Sequence, residues 1–169
     1  MKKNKILSLH KHDQNNLKMF GRGLITPDEL TNRSRIIYRN FSKIVKQYGF
    51  PKHNESISEG EIYKASVVLL LHVPVSKMRE IYESIKGFKD NELLPQDRAY
   101  IVDKMLVISK KRQIYGTQFN RVGNKILFFP IRDEENVNKL RKKINLCTLS
   151  QYIKFIKGRR KSVLRENIQ

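Results

Sequence analysis

Hydrophobic positions recur along most of this chain at intervals of three and four, the period of helices with one buried face. Thr26-Pro27-Asp28-Glu29 opens the first clear run: a Thr N-cap, Pro in the first turn, and acids facing the positive end of the helix dipole. Leu30, Ile37, Phe41, Ile44, Val45 and Tyr48 follow at mostly helical spacing, and Gly49-Phe50-Pro51 ends the run. A capping box from Ser58 to Glu61 predicts a second helix. Between Val67 and Leu71 that helix is apolar all round, which places it at the centre of the core. Pro74 interrupts it, and a third helix is expected from about Val75 to Lys86. The fourth spans roughly Pro95 to Lys110.

The period then changes. Gln118-Phe119-Asn120-Arg121 and Lys125-Ile126-Leu127-Phe128-Phe129 flank Val122-Gly123-Asn124, the pattern of a short hairpin. A helix capped by Asp133 takes in Val137, Leu140 and Ile144, and another starts at Thr148 and ends at Gly158. The pattern therefore predicts a mainly α, compact domain of about six helices over residues 27–157, with one β-hairpin near 118–129. Residues 1–26 lack a sustained apolar period and are expected as a basic N-terminal arm. Residues 158–169 are expected as a basic C-terminal tail.

Length and composition agree with one globular unit: 169 residues of which 39% are hydrophobic. A single Cys147 rules out an intramolecular disulfide and disfavours a thiolate zinc site. The start of the chain has too short an apolar stretch for a signal peptide, and no segment approaches a membrane span, so a cytoplasmic protein is expected. The formal charge of +19 changes the picture more, because it gathers at the ends. Residues 1–26 hold six basic side chains against Asp13, and residues 138–169 hold ten against Glu166. Basic ends attract any polyanion, which makes Lys2, Lys3, Lys5, Arg159, Arg160 and Lys161 candidates for contacting RNA or DNA. The plain alternative is a lysine-rich composition in which Lys is the default solvated residue.

Candidate chemistry is concentrated elsewhere. Asp103 and Lys104 are embedded in the apolar surface of the fourth helix, and a charge buried there requires a partner. Directly after that helix, Gln113-Ile114-Tyr115-Gly116-Thr117-Gln118 offers more varied hydrogen-bonding groups than a turn needs. His72 ends the buried run VVLLLHVP, where a satisfied core residue or helix cap competes with a catalytic role. There is no phosphate-binding Gly-rich loop, nucleophile elbow or glycosidase carboxylate pair, His10-Lys11-His12-Asp13 is only a weak metal-ligand candidate because lysines flank it, and no cofactor is implied.

The segments LLLHVP, AYIVDKMLVISKKRQIYGTQF and FPIRDEENVNKLRKKINLCTLSQYIKFI resemble a bacterial family described only as a domain of unknown function. Its members carry a Gln-His-Ala-Asp segment, a helical Asp-Arg, Gln-x-Tyr-Gly-(Ser/Thr)-Gln, and a Pro-Ile before a closing helix. The resemblance covers roughly Asp28 to Lys157. It puts weight on His72, Asp103, Gln113, Tyr115, Gly116, Thr117 and Gln118, and implies no activity. Lys104 stands where the family has Arg, and Pro74 where an acid two residues after the His is expected.

Together these features suggest a polar pocket for a small anionic ligand. In that reading His72 is the general acid or base and Asp103 fixes its tautomer. Lys104 and Arg112 receive the anion, Gln113 and Gln118 orient it, and Gly116 lets the backbone approach. Alternatively, the polar block of Asp103, Tyr115, Thr117 and Gln118 ties the fourth helix to the hairpin. A nucleic-acid-binding protein and a protein-interaction module or effector are the other classes left open, and the sequence is silent on oligomeric state.

Overall fold

The computed structural model describes residues 2–53, 57–123 and 125–166, with side chains for 4–53, 60–123 and 125–158. Among the described residues, seven helices and one two-stranded hairpin make the fold mainly α: α1 (Lys2–Gly21), α2 (Pro27–Tyr48), α3 (Ile57–His72), α4 (Val75–Ile85), α5 (Pro95–Ile108), β1 (Phe119–Val122), β2 (Lys125–Phe128), α6 (Val137–Lys143) and α7 (Leu149–Glu166). They form two compact units, Met1–Leu94 and Pro95–Gln169. No described helix is long and apolar enough to cross a membrane.

In the first unit α2 begins as its sequence requires. Glu29 N donates to Thr26 Oγ1 at 3.2 Å while Thr26 N donates to Glu29 Oε2 at 2.8 Å, completing a capping box. Gly49 ends the helix at φ +77°, its N–H on Val45 O. Ile37, Phe41 and Val45 face inward against the apolar α3, of which Ile62, Tyr63, Val67, Leu69 and Leu70 are buried. The capping box expected at Ser58 lies outside the described side chains.

Residues 1–26 depart from the expected arm. They carry α1, which packs on α2 and α3. Its inward face includes buried Ile6, Asp13 and Asn16 and half-buried Leu9, His10 and Met19. Two polar residues hide the apolar period, so the amphipathic pattern is absent from the sequence although the helical spacing is present. Lys5, Lys11, Lys18 and Arg22 are exposed. The side chains of Lys2 and Lys3 lie outside the described residues.

In the second unit the hairpin pairs Phe119 with Phe128 and Val122 with Lys125, and Gly123 turns at φ +59°. Asn124 of the expected turn lies outside the described residues. Thr148 and Gln151 cap α7 reciprocally, with Gln151 N on Thr148 Oγ1 at 3.3 Å and Thr148 N on Gln151 Oε1 at 3.0 Å. That helix continues through Gly158 to Glu166 instead of stopping. A helical Gly costs only about 1 kcal/mol relative to Ala, and the basic and aliphatic residues after it are good helix formers. The expected tail is thus helical as far as Glu166, with the side chains of Arg159, Arg160 and Lys161 outside the described residues.

Candidate functional site

The segment after α5 is folded around a carboxylate. Helix α5 ends in a Schellman turn, Lys111 N on Leu106 O and Lys110 N on Val107 O, with Lys110 in the left-handed region at φ 56°. The chain reverses there and brings successive amides onto Asp103, which is fully buried. Asp103 Oδ1 accepts from Ile114 N at 2.7 Å and Tyr115 N at 3.2 Å. Oδ2 accepts from Tyr115 N at 3.1 Å, and from Thr117 N and Thr117 Oγ1 at 3.0 Å. A concave row of backbone N–H groups is an anion nest, and here its anion is supplied by the protein itself.

The surrounding groups are committed in the same way, apart from Arg141 Nη2, which is buried with no hydrogen-bond partner among the described residues. Gln113, also fully buried, donates through Nε2 to Gln118 O at 2.9 Å and Phe129 O at 2.7 Å, and accepts from Gln118 N at 2.9 Å. Gln118 Nε2 donates to Thr117 Oγ1 at 3.1 Å. Arg141 approaches from α6: Nε donates to Cys147 O at 2.6 Å, and Nη1 to Tyr115 O at 2.7 Å and Gly116 O at 3.2 Å. Its guanidinium also covers the Tyr152 ring at 5.1 Å. The same short turn therefore meets an anion with its N–H groups and a cation with its carbonyls. Gly116 sits at φ +65°, and a Cβ there would lie 2.8 Å from Leu149 Cδ2 and 3.0 Å from Ile131 Cδ1. The close approach it permits is to the protein's own core.

Three sequence-expected residues here keep uncommitted groups. Tyr115 is half-buried and its hydroxyl has no hydrogen-bond partner among the described residues, while Arg112 is exposed. Lys104 is half-buried without a carboxylate at bonding distance among the described residues, and burial pushes its ammonium pKa down.

His72, at the end of α3, has a different acid from the one expected. Its Nδ1 lies 2.8 Å from Oδ2 of Asp13 on α1. The Asp13 side chain is 1% exposed and the imidazole 29%. Gln14 Nε2 donates to Asp13 Oδ2 at 3.0 Å and Tyr38 Oη to Oδ1 at 3.2 Å. Burial by itself pushes the Asp13 carboxyl up, but the hydrogen bond and charge of His72, with the bonds from Gln14 and Tyr38, outweigh it and hold the pKa below the ordinary value. Burial pushes the Tyr38 hydroxyl up to about 12, so it stays a donor. An ionised carboxylate only accepts, so Nδ1 carries a proton whether the ring is charged or neutral, and it is the neutral form of the ring that has a bare Nε2.

A carboxyl with a depressed folded-state pKa contributes stability that is complete above the unfolded value and is lost as pH falls toward the folded one. We expect stability measured by urea unfolding to drop as pH falls below about 4, Asp13 contributing to the slope. In Asp13→Asn the acid limb should be flatter, and the loss at neutral pH about 1.5 to 3 kcal/mol. An unchanged acid limb would show that Asp13 contributes nothing to it.

The structure thus brings Asp103, Gln113, Gly116, Thr117 and Gln118 into one hydrogen-bonded knot, and gives His72 a separate cluster with Asp13 and Tyr38. Sequence reading singles out neither Tyr38 nor Arg141, and meets Asp13 only as the acid of a basic segment and of a weak metal candidate. For Arg141 a signal was present: it lies four residues from Val137 and three from Ile144, on the apolar side of its helix. Asp13 likewise falls seven residues after Ile6, on the same helical face. The model of a family of unknown function, DUF6624, matches residues 32–161. No curated protein and no solved structure matches the chain.

Proposed function

The chain belongs to that family of unknown function, and from the arrangement around His72 we propose that it binds a small anionic ligand which shares or exchanges a proton with the Nε2 atom of this histidine. The observation that carries the reading is the contact between Nδ1 and the buried Asp13 carboxylate, which orients a partly exposed ring with its other nitrogen free of a protein partner among the described residues. A base held in one tautomer by a buried acid is the arrangement that general acid–base chemistry requires. The net charge of +19 favours an anionic ligand through its long-range field. Asp103, Gln113 and Thr117 support the second unit's fold in this reading and touch no ligand.

Long-range 15N spectra of the imidazole test it. The neutral ring should carry its proton on Nδ1, and Asp13→Asn should mix or invert the tautomers. A wild-type ring protonated on Nε2 would remove the free base. In a thermal-shift screen of small carboxylates and phosphates, a ligand that stabilises the wild type should not stabilise His72→Gln. At a hundred times its Kd such a ligand adds about 2.7 kcal/mol. Equal stabilisation of the variant would overturn the assignment.

A second reading rests on the exposed Lys5, Lys11, Lys18 and Arg22 of α1. Salt-sensitive retention of RNA or DNA by the full chain, lost when all four are changed to Gln, would favour nucleic acid as the partner.

A further inference from the structure

Away from His72, the first unit contains a hollow of about 710 Å³ among α2, α4 and the segment Gly49–Lys52. Its walls are mainly apolar, with Ile6, Val45, Phe50, Ile62, Ile81 and Ile85 among them and the hydroxyls of Ser42 and Ser84 as well. The size falls within the range of roughly 300 to 1,000 Å³ typical of small-molecule sites. Charge enters only at the rim. Three lysines, Lys46, Lys52 and Lys77, line it against a single acid, Glu80. Lys52 is held by Glu92 at 2.7 Å and Lys77 by Glu80 at 2.6 Å. Lys46 has no carboxylate at bonding distance among the described residues.

An apolar interior with a cationic edge discriminates by chemistry. A hydrocarbon tail gains by leaving water, whereas a charged head must stay where water or an opposite charge can meet it. We propose that this hollow binds the tail of a single-chain anionic amphiphile, a fatty carboxylate, with its head at Lys46. The complementarity is between an anion at the rim and an alkyl chain among the isoleucines.

Calorimetric titration of the full chain with dodecanoate below its micelle-forming concentration tests the assignment. One molecule should bind per chain, decanoate about tenfold more weakly because two buried methylenes are lost. Dodecyltrimethylammonium, with the same tail and the opposite charge, should bind at least about tenfold more weakly. Lys46→Glu, at an exposed position, should weaken dodecanoate about fivefold without altering the thermal melt. Ser84→Phe, at an exposed position on the lining, should fill the hollow and abolish binding. Absence of dodecanoate binding, equal affinity for the cationic amphiphile, or wild-type affinity in Ser84→Phe would each overturn the proposal.

Discussion

Asp103→Asn lowers the stability of the second unit by about 3 to 5 kcal/mol, the largest loss expected from any single conservative substitution in this chain. The carboxylate is fully buried and accepts from Ile114, Tyr115 and Thr117 through both oxygens. An amide of the same shape replaces one acceptor by a donor. Whichever way it turns, an NH₂ group faces backbone N–H groups that have no water to turn to, and each buried donor left unsatisfied costs about 1 to 3 kcal/mol. Thr117→Val removes the hydroxyl that donates to Asp103 and accepts from Gln118 Nε2 but leaves the backbone N–H bonds to Asp103 intact, so it should cost no more than about 1.5 to 3 kcal/mol. Hydrogen exchange at Ile114, Tyr115 and Thr117 reads the clamp directly: their protection should collapse in Asp103→Asn and persist in Thr117→Val. A loss below about 1 kcal/mol in Asp103→Asn would refute the clamp and return this carboxylate to ligand chemistry.

Deletion of residues 1–26 is expected to abolish cooperative unfolding of the first unit. The deletion removes Ile6 and Ile25, both buried, at about 1.5 to 3 kcal/mol for each such side chain. It also removes Asp13, leaving Tyr38 Oη and His72 Nδ1 without their acceptor, and the Thr26 cap of α2, worth about 1 kcal/mol. The sum rivals the roughly 5 to 15 kcal/mol that keeps an ordinary domain folded. Circular dichroism during urea titration, with amide exchange in α2 and α3, measures it. A fragment from residue 27 whose first unit unfolded with the native midpoint would show that the segment is a dispensable arm after all. Because truncation and unfolding coincide here, polyanion binding by α1 has to be tested by substituting its exposed basic residues.

These two results bear on how the site divides. The Gln-x-Tyr-Gly-Thr-Gln block has the composition of a ligand loop, but its N–H groups close on Asp103, its carbonyls on Arg141, and its glycine on Ile131 and Leu149. In the first unit His72 keeps a free functional end, and its orienting acid lies 59 residues earlier in the chain.

Local chemistry determined much of the fold unaided. The Thr26 N-cap, the stop at Gly49, the all-round apolar α3, the break at Pro74, the hairpin and the helix start at Thr148 each depend on neighbours a few residues apart, so spacing alone reveals them. The need for a partner at Asp103 was legible too, because a charge among apolar positions has to be compensated. Only the tertiary structure decided which partners those were. Asp13 and Asn16 interrupt the apolar face of α1, and what makes their burial tolerable for Asp13 is a set of hydrogen bonds that includes distant Tyr38 and His72. Arg141 lies on the apolar side of its helix, yet nothing local shows that the carbonyls of Tyr115, Gly116 and Cys147 converge on it. Periodicity records how often a residue faces inward; it carries no record of which polar group will be waiting there, since that pairing is made across the fold.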